Sequence, residues 1–165
     1  LALARADGAQ ALADEWVDLA QVIQLTVDEF SRNPRLRGRS IIAQAAPVGV
    51  RGDLDAIGLA LRNLVENALV HGVGGSFIRV TCAGTREAVS LAVIDDGPGV
   101  APAELPSLTK RFARGAGAAQ SGAGLGLSIV DTLARRMGAK LVLVSPPDGR
   151  GNGFEARLVW PSASR

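Results

Sequence analysis

The stretch Asp53–Gly72, DLDAIGLALRNLVENALVHG, decides the fold. Its apolar residues recur at intervals of three and four, which is the spacing of one face of an α-helix. Asp53 is a typical N-cap residue, and Gly72 is typical of the position just beyond a helix C-terminus. We therefore expect a helix from Leu54 to about His71 whose apolar face packs against the rest of the domain.

Outward from this helix, the sequence alternates between helical and strand-like patterns. A helical spacing runs from Glu15 to Phe30 with Asp14 as a possible cap, Arg39–Ala46 has the pattern of a strand, and Pro47–Gly52 is typical of a turn. The later predicted elements are strands at Ser76–Ala83 and Ala88–Ile94, a short helical segment at Ala103–Phe112, a helix from about Gly124 to Met137, and strands at Lys140–Ser145 and Gly153–Trp160. This order predicts one domain over residues 1–165, an α/β (α+β) two-layer sandwich with about three helices on one face of a mixed, mostly antiparallel sheet.

Composition excludes several classes of protein. The 165 residues are 47% hydrophobic and 21% charged with a formal net charge of +2, which is ordinary for a folded soluble domain. There are two lysines, Lys110 and Lys140, and no tyrosine, so the stacking surfaces of nucleic-acid binders are missing. A single cysteine, Cys82, excludes an internal disulfide and favours a cytoplasmic compartment. No apolar run is long enough to cross a bilayer.

A polar stripe lies on the predicted helix of residues 54–71. Asn63, Glu66, Asn67 and His71 are spaced i, i+3, i+4 and i+8, which places all four on one side. Two asparagines one turn apart beside a carboxylate form a row of oxygen ligands, as a magnesium ion that bridges phosphates requires. The alternative interpretation is an ordinary solvated helix face.

The second strand of the predicted hairpin ends in Asp95–Gly99, DDGPG. A carboxylate at a strand end precedes glycines that allow a ligand to approach the backbone closely. Asp95 is placed to accept the exocyclic amino group of adenine, whereas guanine would present an oxygen and leave the carboxylate unpaired. The alternative is a common Asp-Gly turn.

A glycine-rich segment, Gly122–Leu127 (GAGLGL), leads into the last predicted helix. Backbone amides of such a loop can hold phosphate oxygens at the helix N-terminus. Its spacing differs from the dinucleotide-binding fingerprint, and it lacks the lysine of a P-loop. The small residues of Arg114–Gly122 before it predict a mobile segment.

Together, and in this order, these motifs resemble the GHKL ATPase family and, within it, the catalytic domain of sensor histidine kinases. Asn63–Asn67 (NLVEN) is similar to the N box, Asp95–Gly99 to the G1 box, Arg111–Arg114 (RFAR) to the F box, and Gly122–Leu127 to the G2 box. The resemblance covers most of the chain. It implies ATP and Mg²⁺ as ligands and a histidine on a separate dimerisation domain as phosphoryl acceptor.

The resemblance also assigns expected roles to single residues. Asn67 is implied to coordinate magnesium with support from Asn63, and Glu66 to polarise the attacking histidine. Arg111 and Arg114 are implied to stabilise charge on the transferred phosphoryl group. The remaining implied nucleotide contacts are His71, Asp95, Gly97, Gly99, Phe112, Gly122, Gly124, Leu125, Gly126 and Leu127, with residues 113–123 as a lid over ATP.

Two positions depart from the family pattern. Val70 stands where relatives often carry a basic residue near the phosphates, and Leu108 stands where many carry a first F-box phenylalanine. His71 is the only histidine in the chain and is interpreted as a nucleotide contact, so the phospho-acceptor is expected on another domain.

The expected partners are therefore ATP or ADP, a dimerisation domain of the same kinase and a response regulator. The fragment itself is expected to be a monomer and the parent a membrane-anchored sensor. Two rival functions stay open: another GHKL enzyme, such as a serine kinase or a topoisomerase-like ATPase, and a module that senses nucleotide without catalysis.

Overall fold

The computed structural model describes residues 11–110 and 125–162. Helices α1 (Leu19–Phe30), α2 (Leu54–His71) and α3 (Gly126–Arg136) alternate with seven strands among these residues. Two short 3₁₀ helices occupy Pro34–Leu36 and Leu105–Ser107. The strands are β1 (Glu15–Asp18), β2 (Ser40–Ala45), β3 (Gly49–Gly52), β4 (Phe77–Gly84), β5 (Ala88–Asp95), β6 (Lys140–Val144) and β7 (Phe154–Pro161).

Five of the strands form one mixed sheet in the order β2-β4-β5-β7-β6. The β2–β4 pair is parallel, and the other three pairs are antiparallel. The hairpin of β4 and β5 places Asp95, the last residue of β5, opposite Ile78 on one side and Phe154 on the other. The carboxylate predicted to bind a ligand therefore lies at the edge of the sheet where β5 ends and β4 and β7 begin.

The three helices share one hydrophobic core with the sheet, which confirms the predicted two-layer architecture. Fully buried core residues come from every helix and from the inner face of the central strands; among them are Leu19, Ile23, Ile57, Leu61, Leu64, Val65, Ile78, Val80, Leu91, Val130 and Leu158. Helix α2 begins and ends where the sequence predicts, with the Asp53 side chain accepting from Ala56 N–H at 2.9 Å. The polar side of α2 faces away from this core.

The N-terminal prediction was wrong in two respects. Residues Glu15–Asp18 form a strand rather than the first turn of a helix, and the helix is capped by Asp18 instead of Asp14. Their partner is β3, in the segment predicted as a turn. The two strands pack closely, since a Cβ on Gly49 would lie 2.6 Å from the ring of Trp16.

The other predicted helices and strands agree with the observed ones to within two residues at each end, except in the segment predicted as helical at 103–112. Its described part contains only the 3₁₀ turn Leu105–Ser107, whose second residue is a proline. In residues 11–110 and 125–162, no helix has the length and apolar character that a bilayer span requires.

Candidate functional site

The polar stripe of α2 is confirmed as the side turned away from the core. Asn63 and Asn67 are partly buried, while Glu66 is exposed. The Asn63 amide donates to Leu59 O at 2.8 Å, which fixes the side chain and leaves Oδ1 as an available acceptor. A Cβ on Gly126 would lie 3.6 Å from this oxygen. The start of α3 therefore lies directly beside the first asparagine of the stripe.

Asp95, the last residue of β5, carries a buried carboxylate beside Gly72, at the C-terminal end of α2. Its residue is only 2% exposed, and Oδ1 accepts a hydrogen bond from Gly97 N–H at 2.9 Å. Burial raises the pKa of Asp95 from 3.8 to about 6, and the hydrogen bond from Gly97 opposes this rise. A buried acceptor that is still ionised at neutral pH suits recognition of an amino group.

The DDGPG turn rests on the end of α2 with no space between the two backbones. A Cβ on Gly97 would lie 2.5 Å from Gly72 Cα, and one on Gly72 would lie 2.9 Å from Asp95 Cγ. Both glycines are therefore required for packing. This contact joins the G1-like turn to the helix that carries the asparagines.

The loop between β6 and β7 braces the same turn from the opposite side. The Asn152 side chain donates to Asp96 O at 2.8 Å and to Gly97 O at 3.2 Å. Ser145 Oγ accepts from Val100 N–H and donates to Gly153 O, each at 2.8 Å. No local motif marks this loop as part of the site, because its contacts with the turn join residues 45 to 56 positions apart.

Gly99 has a left-handed backbone with φ +74°, which glycine adopts without strain. A Cβ there would lie 2.6 Å from both Gly153 O and Ser145 Oγ. Glycine is therefore required at position 99 for packing as well as for its backbone conformation.

Asp96 is a structural carboxylate next to Asp95. Its side chain accepts from Ser76 N–H at 2.8 Å, Ser76 Oγ at 2.5 Å and Phe77 N–H at 2.9 Å. Partial burial acts to raise the pKa of Asp96, but the hydrogen bonds from Phe77 and Ser76 outweigh it and hold the pKa below its usual value. The pKa values of the two neighbouring aspartates are thus shifted in opposite directions: Asp96 fastens the turn to β4 through its hydrogen bonds, whereas the carboxyl of Asp95 is buried at the end of β5.

The glycine-rich helix start is described only from Leu125. Leu125 is the N-terminal flanking residue of α3, and Gly126 is its first residue. Leu127 is 7% exposed and lies in the core, so its side chain anchors α3. Arg111, Phe112, Arg114, Gly122 and Gly124, together with the whole predicted lid at residues 113–123, lie outside the described residues.

His71 is the last residue of α2 and remains largely exposed. Partial burial lowers the pKa of its imidazole, so the neutral form predominates at pH 7. By the helical rise of 1.5 Å per residue, His71 lies about 12 Å along α2 from Asn63.

The side-chain oxygens on α2 fit a magnesium ion that is shared with phosphates, and they do not fit an ion held by protein ligands alone. Among the described residues, no three His, Cys, Asp or Glu side chains gather in a way that could hold an ion by themselves. Magnesium commonly keeps several waters and takes one or two protein oxygens together with phosphate oxygens. The amide oxygens of Asn63 and Asn67 fit such a shared ion, and they do not form a dedicated metal cage.

Residues 52–163 match the family described as histidine kinase-, DNA gyrase B-, and HSP90-like ATPases. The sensor protein QseC of Escherichia coli (strain K12) is 36% identical over 129 residues, which is 72% of this chain and 27% of that protein. The chain thus spans about a quarter of the length of this relative.

Two solved structures share the fold over nearly the whole chain. The mycobacterial sensor histidine kinase MprB has a TM-score of 0.77 and 28% identity, covering 90% of this chain and 97% of that one. Full-length ShkA in complex with AMPPNP has a TM-score of 0.75 and 27% identity, covering 97% of this chain and 34% of that one.

Proposed function

Since the chain belongs to the histidine kinase-, DNA gyrase B- and HSP90-like ATPase family, we propose that it binds Mg-ATP and donates the γ-phosphate to a histidine of a sensor kinase. The acceptor histidine would lie on the dimerisation domain of the parent protein, which passes the phosphoryl group to a response regulator. The parent is proposed to be a membrane-anchored sensor with this domain in the cytoplasm. The named relatives QseC and MprB are both sensor proteins, which supports the assignment to a sensor kinase.

One observation carries the nucleotide assignment: the buried Asp95 carboxylate where the DDGPG turn meets the end of α2. We expect the adenine amino group to donate to Asp95, with Gly97 and Gly99 allowing the base to approach the backbone. Guanine would place a carbonyl oxygen against the carboxylate, so the site should prefer adenine strongly. The structural relative ShkA was solved with AMPPNP, an ATP analogue, which supports the same ligand class.

The phosphates are proposed to lie at the opposite end of the stripe, between α2 and the start of α3. Asn63 and Asn67 would supply amide oxygens to the magnesium ion, which neutralises phosphate charge when bound. The backbone N–H groups at Leu125 and Gly126 belong to a helix N-terminus, which favours anions. Arg111, Arg114, Phe112, Gly122 and Gly124 are proposed to complete this end of the site.

The reaction requires little covalent chemistry from the protein. Glu66 is exposed on the same side of α2 as the asparagines, so an incoming histidine can reach it. We propose that this carboxylate accepts a hydrogen bond or proton from the attacking imidazole. The remaining side chains position the triphosphate and stabilise its charge.

Isothermal titration calorimetry of the 165-residue chain with ATP, ADP and GTP, with and without magnesium, tests the proposal. Magnesium-dependent binding of ATP with GTP at least about 100-fold weaker is expected from a carboxylate that reads the base. Equal affinity for GTP would contradict the role of Asp95. Binding of ATP without transfer to a supplied dimerisation domain would favour a nucleotide-sensing module instead.

A further inference from the structure

Arg39 is a buried arginine that no motif singles out. It directly precedes β2, and only 8% of its surface is exposed. Its guanidinium donates four hydrogen bonds, all to backbone carbonyls: to Leu36 O at 3.0 Å, Ala68 O at 3.1 Å, Arg35 O at 3.0 Å and Leu69 O at 2.7 Å. Among the described residues, no carboxylate forms an ion pair with it. The buried charge is therefore satisfied by backbone oxygens alone.

The four carbonyls belong to two separate segments. Arg35 and Leu36 lie in the 3₁₀ turn after α1, and Ala68 and Leu69 lie in the last turn of α2. Carbonyls in the last turn of a helix lack partners within the helix and form the negative end of its dipole. A guanidinium at this position both satisfies the carbonyls and matches the dipole, and it fixes the end of α2 to the turn.

This last turn supports the proposed base-binding end of the site. Ala68 O also accepts from Gly72 N–H at 2.9 Å, so Arg39 and Gly72 share one carbonyl. Gly72 in turn has no space between itself and either Asp95 or Gly97. A shift of the last turn of α2 would therefore move the surface against which the DDGPG turn packs.

We propose that Arg39 is a positioning residue of the nucleotide site: it holds in place the last turn of α2, against which the Asp95–Gly99 turn packs. This inference depends on the proposed function, because it assigns Arg39 to the adenine end of that site. Arg39 does not contact the nucleotide in this proposal. It acts through Gly72 and through its charge.

The charge of Arg39 has a separate consequence for Asp95. Burial is the largest influence on the Asp95 carboxyl and raises its pKa, the neighbouring Asp96 raises it further, and Arg39 lowers it. The N–H groups of Gly97 and Phe154 also lower it, and His71 is the titratable group on the facing end of α2. Since the adenine contact needs the carboxylate, ATP affinity should rise as the pH passes the pKa of Asp95. Loss of the guanidinium should move this midpoint to higher pH.

The test measures ATP affinity from pH 5 to 9 for the wild type, Arg39→Gln and Arg39→Lys, with folding checked by circular dichroism. For Arg39→Gln we expect the midpoint of the ATP-affinity profile to rise by about half a pH unit or more, because the variant loses the positive charge. ATP affinity at pH 7.5 should also fall about tenfold, because the hydrogen bonds that hold the last turn of α2 are lost as well. Arg39→Lys keeps the charge, so we expect a midpoint close to that of the wild type with affinity about threefold weaker. Arg37→Gln, an exposed neighbour with the same loss of charge, is the control and should behave as the wild type.

The outcomes separate the two proposals. No ATP binding by the wild type would overturn the proposed function and the role of Arg39 with it. Normal wild-type binding with an unchanged midpoint and affinity in Arg39→Gln would overturn the role of Arg39 alone. If Arg39→Gln does not fold, Arg39→Lys decides: unchanged affinity, or a midpoint displaced as far as loss of charge predicts, would contradict the proposal.

Discussion

Gly72 and Asp95 are packed so closely that a Cβ on Gly72 would lie 2.9 Å from the carboxyl carbon of Asp95 and 2.6 Å from Ala68 O. We therefore expect Gly72→Ala to displace the end of α2 from the DDGPG turn. The expected cost in unfolding free energy is about 1–3 kcal/mol, as for other overpacked sites. ATP affinity should fall about tenfold or more, since small displacements in a preorganised site are costly.

Gly58 provides the matched control within the same helix. A Cβ there would meet no atom within 4 Å, and its backbone is helical. Gly58→Ala should raise the unfolding free energy by about 0.5–1 kcal/mol through helix propensity and leave ATP affinity unchanged. Urea unfolding and calorimetry on both variants measure the two effects, and similar behaviour of the two would contradict the packing argument.

Asp95→Asn should separate stability from ligand binding. The pKa of Asp95 is raised above its unfolded value, so the folded state binds more protons between pH 3.8 and about 6, and stability is lost as the pH rises through this window. The ionised carboxylate therefore destabilises the fold by about 3 kcal/mol at neutral pH. Asparagine retains an oxygen that can accept from Gly97 N–H but carries no charge.

We accordingly expect Asp95→Asn to be more stable than the wild type at pH 7–8 and to lose the fall in stability between pH 4 and 6. Its ATP affinity should nevertheless drop about 100-fold, because the amide would have to present its oxygen to the adenine amino group while also accepting from Gly97. Urea unfolding across pH 4–8 and calorimetry at pH 7.5 check both parts. A variant that is less stable than the wild type at pH 8 would refute the burial argument.

Asp96→Asn should have the opposite pH dependence. The pKa of Asp96 is held below its ordinary value of 3.8, so its carboxylate stabilises the fold above that pH, and this contribution disappears as the pH falls through the lowered pKa. The variant should be destabilised by about 1–2 kcal/mol at pH 7, through weaker hydrogen bonds from Ser76 and Phe77, and by less below pH 4. An equal deficit at pH 3 and pH 7 would show that the charge of Asp96 is not what matters.

Local signals explain how much of this fold could be predicted from sequence. The bounds of α2 were correct because a capping aspartate, a helical repeat and a terminal glycine all lie within the helix itself. The β4–β5 hairpin was recognisable for the same reason. At the N-terminus, the residues of Glu15–Asp18 fit a helical repeat, and only pairing with the distant β3 makes them a strand. Tertiary pairing overrode the local pattern there.

The parts of the candidate site that lie within one short segment of the sequence were likewise predictable, and the parts made by distant contacts were not. The asparagine stripe and the DDGPG turn carry their chemistry in adjacent residues, and the structure places both at α2. Arg39 and Asn152 carry no local signal, because the carbonyls that tie Arg39 to α2 and Asn152 to the DDGPG turn lie 29 to 56 positions away in the chain. An arginine before a strand and an asparagine in a loop are ordinarily solvated. Only the folded structure shows that these two side chains donate to distant backbone carbonyls.

Asn152→Ala tests whether the β6–β7 loop supports the turn. The variant removes hydrogen bonds to Asp96 O and Gly97 O, so those carbonyls lose their side-chain partner. We expect a loss of about 1–2 kcal/mol in stability and ATP affinity weaker by about three- to tenfold. Asp148→Ala, which alters an exposed residue of the same loop, should change neither quantity. Equal effects of the two substitutions would mean that the loop acts as a whole and not through Asn152.

Asn67→Ala tests the metal assignment at the other end of α2. Asn67 is partly buried one turn beyond Asn63, so removal of its amide should leave the base contact with Asp95 intact and weaken the proposed ion contact. We expect magnesium to strengthen ATP binding about tenfold less in the variant than in the wild type, with little change in magnesium-free affinity. Glu66→Gln alters the adjacent exposed residue, which is proposed to act on the attacking histidine, so its magnesium response should equal that of the wild type. If both variants lose the magnesium response, the helix surface itself is perturbed; if neither does, Asn67 is not a magnesium ligand.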